Sequence, residues 1–155
     1  MPLLRAALSW NFVLATAICA SLLAQLIKVL LNLFIFHRFI AERMWGAGGM
    51  PSSHSATVCA MVVATGRYCG VNSPPFAIAA VLSIIVMYDA MGVRYETGEQ
   101  AKVLNRMFTE WMDQGFEQFQ LPHGKKLKEM VGHTPIEVVT GAALGIVLGF
   151  AMPMV

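Results

Sequence analysis

The sequence has little charge and little cysteine, and each shortage argues against a class of protein. Charged residues make up 13% of the 155 residues, the formal net charge is +2, and no basic run is interleaved with aromatic residues. This composition argues against a nucleic-acid-binding protein. Cys19, Cys59 and Cys69 form no CxxC or Cys/His pattern, so we expect them to pack as small side chains rather than to bind a metal. No internal repeat or low-complexity tract is visible, which favours one compact domain.

Apolar residues, by contrast, make up 57% of the chain, more than a soluble domain of this length needs for its core. Four stretches are long and apolar enough to cross a bilayer, namely 10–36, 51–71, 76–93 and 136–155. The first is too long for a cleavable signal, so we expect it to remain in the mature protein. The sequence therefore predicts an all-α, polytopic membrane helix bundle of about four transmembrane helices, forming a single domain over 1–155.

The cations are distributed unevenly between the two sides of such a bundle. With four spans, the segments 36–50 and 94–134 lie on one side, and both termini lie on the other. The first side holds Arg38, Arg43, Arg94, Lys102, Arg106, Lys125, Lys126 and Lys128. The second side holds only Arg5 and Arg67. The positive-inside rule then places the long loop in the cytoplasm, stroma or matrix, and the protein in a bacterial inner membrane or an organelle membrane such as that of a plastid.

The long segment between the third and fourth spans carries an amphipathic pattern. Apolar residues recur at helical spacing over 98–120, and acidic residues occupy the opposite side. Thr97 and Gln100 match a capping box, and Pro122 stops a helix. The pattern predicts an amphipathic helix over about 98–120 that lies flat on the membrane or caps the bundle.

Three glycines in the last span, Gly141, Gly145 and Gly149, repeat every four residues. Such a stripe allows another helix backbone to approach closely. It could seal the bundle, or it could join copies of the chain into a homo-oligomer or a larger membrane assembly.

A polar stripe runs along the first span. Ser21, Gln25, Lys28 and Asn32 share one side of a helix. A lysine facing lipid at this depth costs about 2.5 to 3.5 kcal/mol, so we expect the stripe to face a wet or charged interior. The alternative is that Lys28 extends to the nearby interface.

The second span begins with GGMPSSHSA, in which a glycine turn ending at Gly49 leads to Pro51 and a helix start. The first amides of a helix are unpaired donors that attract an anion. Ser52 and Ser53 add hydroxyl groups, and His54 adds a group that exchanges protons near neutral pH. The alternative, that the serines simply cap the helix, accounts for one serine but leaves His54 unexplained.

The third span ends with an aspartate, Asp89, inside apolar sequence, followed by Arg94. A carboxylate at this depth needs a cation, and either Arg94 or Lys28 is suitable. Pairing of this kind could be structural, or these groups could contact a substrate.

The fourth span begins with His133, and Glu137 follows four residues later, about one helical turn. A carboxylate that accepts a proton from one ring nitrogen leaves the other nitrogen with its lone pair outward, as a nucleophile or base. A buried histidine held by a hydrogen bond is an equally common structural feature. Four sets of polar groups fall toward the cytoplasmic side of four different helices: Lys28, the start of the second span, Asp89 with Arg94, and His133 with Glu137. The leading hypothesis is therefore a phosphate site.

These motifs resemble the type 2 phosphatidic acid phosphatase superfamily, which includes the vanadium haloperoxidases. Its PSGH signature is similar to PSSH at 51–54, and its histidine followed four residues later by aspartate is similar to HTPIEV, with Glu137 in place of the aspartate. GGMPSSHSA, YDAMGVR with a following GEQAKVLN, and LKEMVGHTPIEV together resemble the small divergent bacterial and plastid branch. The resemblance covers most of the chain.

The resemblance implies a covalent mechanism without metal or cofactor. His133 would attack phosphorus, Glu137 would orient His133, and His54 would protonate the leaving oxygen. The groups implied to bind the phosphoryl oxygens are Lys28, Ser52, Ser53 and Arg94, with Asp89 and Gly49 in support.

Two departures from the family pattern concern cations. The Arg-Pro that follows the family's first lysine is replaced by Ile35 and Phe36, with Arg38 nearby as a loose substitute. The arginine six residues before the nucleophile is replaced by Leu127, so Lys128 or Arg94 would take its role.

The sequence thus predicts a membrane phosphatase that hydrolyses a lipid or isoprenyl phosphate among membrane lipids. One alternative is a catalytically silent relative that serves as a structural or lipid-binding subunit. Another is an ion or proton pathway lined by Lys28, Asp89 and the histidines.

Overall fold

The computed structural model describes residues 11–36, 49–114, 126–129 and 131–154. Over these ranges the regular structure is entirely helical, which confirms the predicted all-α class. In chain order the helices are α1 (Phe12–Phe36), α2 (Ser53–Cys69), α3 (Pro74–Met91), α4 (Val93–Asp113) and α5 (Pro135–Ala151).

The start of α4 differs from the sequence-based expectation. The helix begins at Val93, directly after Gly92, and no side chain caps it. The capping box predicted at Thr97 is therefore wrong: the Thr97 hydroxyl lies inside the helix and donates to the Val93 carbonyl at 2.7 Å. The last described residue of the helix is Asp113, and the predicted continuation over 115–120 lies outside the described residues.

Helix α2 occupies the middle of the bundle and packs against α1, α3 and α5. The centre of the contact with α1 consists of small residues, since Ala20, Ala24, Ala56 and Ala60 are all fully buried. Leu144 from α5 packs against this cluster. Small residues at the centre let the helix backbones approach closely, as is typical of helices packed in a bilayer.

The glycine stripe of α5 faces α2 within the same chain. A Cβ placed on Gly141 would lie 2.3 Å from the Ser52 carbonyl oxygen, and one placed on Gly145 would lie 2.3 Å from the Ala56 carbonyl oxygen. Of the two options left by the sequence, sealing the bundle is the one seen in the structure. Any contact between copies would use another face of the chain.

Large apolar side chains lie mainly on the outside of the bundle. On α1 alone, Leu14, Ile18, Leu22, Leu26 and Leu30 are exposed. Within the described residues, two helical stretches are long and apolar enough to cross a membrane, Phe12–Phe34 and Pro74–Asp113, and α5 is a shorter apolar helix.

Candidate functional site

The end of α1, the start of α2, the end of α3 and the start of α5 meet at one end of the bundle. Two backbone hydrogen bonds join the last three of these elements. The Ser52 amide donates to the Glu137 carbonyl at 2.9 Å, and the His133 amide donates to the Ala90 carbonyl at 3.0 Å. Most of the residues singled out in the sequence therefore lie close together.

His133 is 2% exposed and is held by the carboxylate of Glu137. Its Nδ1 lies 3.2 Å from Glu137 Oε2, and the same oxygen accepts the Thr134 amide at 3.0 Å. The Gly49 amide is also directed at this carboxylate. A carboxylate next to Nδ1 favours the tautomer that carries its proton there, so the lone pair resides on Nε2. That Nε2 is buried and has no hydrogen-bond partner in the described part of the chain.

His54 lies in the first turn of α2, and its side chain is exposed. Its ring centroid lies 5.9 Å from that of His133, with the two planes inclined at 64°. The pair therefore joins a buried imidazole, whose Nε2 has no partner among the described residues, to an imidazole that solvent or a ligand can reach.

Lys28 is 2% exposed, so the alternative that it extends to the surface is wrong. Its methylene chain packs on Gly49, where an added Cβ would lie 3.4 Å from Lys28 Cδ and where φ is +88°. Glu137 attracts the ammonium group electrostatically. Among the described residues, however, no carboxylate lies within salt-bridge distance of Lys28. A buried cation without a paired anion is what a site for an anionic ligand requires.

Asp89 pairs with Arg94 rather than with Lys28. Arg94 Nε lies 2.5 Å from Asp89 Oδ2, and the side chains are 49% and 39% exposed, so the aspartate is less buried than the sequence suggested. Arg94, Asp89 and Lys28 all act electrostatically on His54. The structure thus brings two cations near His54.

The two serines differ in their surroundings. Ser52 is fully buried and is the N-cap of α2: its hydroxyl oxygen accepts the Ser55 amide at 3.3 Å and the Ser55 hydroxyl at 3.1 Å. The Ser52 oxygen therefore caps the helix, and only the hydroxyl proton is available to donate to a ligand. Ser53 is the first residue of the helix, and Pro51 precedes the cap instead of lying in the first helical turn.

The segment 126–129 lies along α4, where Asn105 holds it. Asn105 is 4% exposed, its Nδ2 donates to the Leu127 carbonyl at 2.9 Å, and its Oδ1 accepts the Leu127 amide at 2.8 Å. The same Nδ2 also donates to Glu129 Oε1 at 2.8 Å. Lys128 is exposed, and no described contact joins it to the histidines. Arg38 lies outside the described residues.

Two glycines extend the contact between α4 and the segment 126–129 toward His133. A Cβ on Gly98 would lie 2.5 Å from the Glu129 carbonyl oxygen, and one on Gly132 would lie 2.3 Å from the Tyr95 backbone. The chain that leads into His133 is therefore seated on α4. Sequence reasoning assigned no role to Asn105, Gly98 or Gly132, although the first two lie in the quoted stretch GEQAKVLN and the third lies in LKEMVGHTPIEV.

The chemistry open to this site follows from its donor groups. In the part of the chain that the structure describes, no three His, Cys, Asp or Glu side chains are grouped so that they could hold a metal ion. What converges is a free imidazole nitrogen, a second imidazole and two cations. This set can bind a tetrahedral anion and exchange a covalent bond and a proton with it.

Comparison with known proteins identifies the family to which the chain belongs. The model of the divergent PAP2 family matches residues 9–148. The chain is 38% identical over 144 residues to the uncharacterized membrane protein YuiD of Bacillus subtilis (strain 168), covering 89% of this chain and 91% of that protein. No solved structure matches the chain.

Proposed function

The chain belongs to the divergent PAP2 family, and on that premise we propose that it is a phosphatase embedded in a membrane. Its substrate is a lipid phosphate or an isoprenyl phosphate, and the reaction proceeds through a phosphohistidine. The observation that carries the proposal is the buried Nε2 of His133, which has no partner in the described residues while Nδ1 is held by Glu137.

In this proposal the protein crosses the membrane four times, through α1, α2, α3 and α5. Helices α2 and α5 have 17 residues each, which corresponds to about 26 Å of helix, close to the roughly 30 Å hydrocarbon core. The exposed leucines of α1 and the small residues inside the bundle support this arrangement. The site and α4 then lie on the cytoplasmic, stromal or matrix side, in agreement with the distribution of cations.

In the first step, Nε2 of His133 attacks the phosphorus atom. A bond from nitrogen to phosphorus forms, and the bond from phosphorus to the ester oxygen breaks. His54, in its protonated form, donates its proton to that oxygen, so the product leaves as a neutral alcohol. Glu137 stabilises the positive charge that develops on the His133 ring.

In the second step, water cleaves the phosphohistidine. Neutral His54 accepts a proton from the water as the oxygen attacks phosphorus, and the bond to Nε2 breaks. Inorganic phosphate leaves, and both histidines return to their starting states. Since His54 is exposed, water reaches its ring from outside the bundle.

Lys28 and Arg94 bind the phosphoryl oxygens, whose charge must be held throughout the transfer. Arg94 is oriented by Asp89 and offers the two-pronged geometry that suits a phosphate. We assign to Arg94 the role of the family arginine that Leu127 replaces.

The membrane position of the site favours a lipid substrate. The phosphate binds at the end of the bundle while the hydrocarbon chain remains in the bilayer beside the exposed apolar faces. A soluble phosphate ester gains nothing from such a position.

The test is phosphate release by the purified full-length protein in detergent, with phosphatidic acid and isoprenyl phosphates as substrates. We expect activity that vanishes in His133→Ala, falls strongly in His54→Ala and persists in Cys69→Ser, a control at the far end of α2. If the wild type is as inactive as His133→Ala on every substrate and binds no vanadate, the proposal fails. The protein would then act as a structural or lipid-binding subunit.

A further inference from the structure

A second group of cations lines a cavity between α4 and the segment 126–129, outside the histidine site. The cavity has a volume of about 340 Å³. It is lined by Lys102, Asn105, Arg106, Thr109, Lys126 and Glu129. Three of these side chains are positively charged and one is negatively charged.

Among the residues that the structure describes, two of the three cations have no carboxylate partner. Lys102 Nζ lies 2.6 Å from Glu99 Oε1, so its charge is compensated. In the described ranges, no carboxylate lies within salt-bridge distance of Arg106 or Lys126. Glu129, the acid of the lining, is bound through Oε1 to Asn105 instead.

The two uncompensated cations come from different parts of the chain. Arg106 belongs to α4, and Lys126 begins the segment that Asn105 holds through Leu127. Both side chains line one cavity, where like charges oppose the docking of the segment and Glu129 offsets them only in part. An anion bound between Arg106 and Lys126 attracts both cations, so it favours the docking of the segment.

The cavity is separate from the histidine site. Asn105 lies ten residues along α4 from Tyr95, against which Gly132 packs next to His133. Ten residues of helix correspond to about 15 Å. One phosphate group therefore cannot contact both places.

We propose that this cavity binds the phosphate group of an anionic lipid headgroup or of a soluble phosphate compound, and that the bound anion clamps the segment 126–129 onto α4. Arg106 supplies a planar pair of donors and Lys126 a point charge from the opposite wall. Because the same segment continues to Gly132 and His133, the bound anion also steadies the approach to the histidine site.

Hydrogen exchange detected by mass spectrometry tests this proposal directly, since the Leu127 amide is bonded to Asn105. The full-length protein in neutral detergent carries Lys28→Met, His54→Ala and Arg94→Gln, so that anion binding at the histidine site does not contribute. Inorganic phosphate is titrated in one arm, and micelles with phosphatidic acid or with phosphatidylcholine are compared in the other. We expect slower exchange in the peptide that contains 126–129.

Charge-removing variants locate the effect. Arg106→Gln and Lys126→Gln should each raise the half-saturating concentration about tenfold, as expected for the loss of one charge-assisted contact. Lys128→Gln removes an exposed cation from the same segment but not from the lining, and it should change that concentration less than about twofold.

The two arms distinguish the source of the phosphate group. Protection by inorganic phosphate alone supports a soluble ligand, and protection only by phosphatidic acid supports a lipid headgroup. The proposal is overturned if neither probe slows exchange, or if Lys128→Gln weakens protection as much as Arg106→Gln does. Because the histidine site is disabled throughout, this result is independent of whether the protein is a phosphatase.

Discussion

The imidazole rings of His54 and His133 lie 5.9 Å apart, centroid to centroid, although the residues belong to different helices of the bundle. Backbone contacts fix this relationship. The Ser52 amide bonds to the Glu137 carbonyl, and Gly141 allows α5 to approach the Ser52 carbonyl closely. The start of α2 and the start of α5 are thus locked together, and each carries one histidine.

The Glu137 carboxylate should matter far more for activity than for stability. Glu137→Gln keeps an oxygen that can accept the Thr134 amide, but it removes the charge that stabilises the His133 ring during attack. We expect kcat to fall by about 10²- to 10⁴-fold, with a melting temperature in detergent close to that of the wild type. An equal loss of folded protein and of activity would show that Glu137 is only a helix cap.

Lys28 should show opposite effects on stability and on ligand binding. Lys28→Met removes a buried cation that has no carboxylate within salt-bridge distance among the described residues. We expect the free energy of unfolding to rise by about 1 to 3 kcal/mol. Vanadate affinity and kcat should fall about 100-fold, because a charge that stabilises the transferred group is lost.

A matched control for Lys28 lies one turn earlier in α1. Gln25 Oε1 is buried and has no partner in the described part of the chain, so Gln25→Met also removes an uncompensated polar group. We expect the free energy of unfolding of Gln25→Met to rise, while its affinity for vanadate stays that of the wild type. If both variants behave alike in the vanadate titration, Lys28 is not a ligand-binding residue.

Asn105 should affect catalysis from a distance, by positioning His133. Asn105→Ala breaks two hydrogen bonds to Leu127 and one to Glu129, which leaves the Leu127 amide without its partner. We expect a loss of about 1 to 3 kcal/mol in stability, together with a lower kcat and faster hydrogen exchange over 126–129. Gln100→Ala, at an exposed position of the same helix, should change none of the three.

The glycine stripe should be most sensitive at the end that carries the site. In Gly141→Ala the new Cβ meets the Ser52 backbone at 2.3 Å, so α2 must move together with His54. In Gly149→Ala the nearest atom is the Val63 Cβ, at 2.7 Å, so the overlap is smaller and lies at the end of α5 away from the site. We expect Gly141→Ala to cost about 1 to 3 kcal/mol and most of the activity, and Gly149→Ala to cost less of both. Equal losses of activity would contradict this account.

Several features could be predicted because they depend on local chemistry. The apolar stretches predict the helices, and the spacing of His133 and Glu137 predicts a contact across one turn, which the structure has at 3.2 Å. The cost of a charge in lipid predicts that Lys28 faces inward. The motifs led to the family, which the comparisons confirm.

Other features could not be predicted because they depend on which elements meet. The sequence pattern at Thr97 fits a capping box, yet α3 and α4 are separated only by Gly92, so the threonine falls inside a helix that has already begun. Asn105 looks like an ordinary polar residue of an amphipathic helix until the segment 126–129 is placed beside it. Arg67 similarly gains its role only from the fold, since its Nη1 binds the Gly149 and Met152 carbonyls at the end of α5.

The most direct test of the central claim is to trap the covalent intermediate. The purified protein is mixed with a lipid phosphate substrate, quenched at alkaline pH, where phosphohistidine survives, and digested for mass spectrometry. The account predicts phosphate on His133 in the wild type and no phosphorylated histidine in His133→Ala. Phosphate release by His133→Ala at the wild-type rate, or phosphate attached to His54 instead, would contradict it.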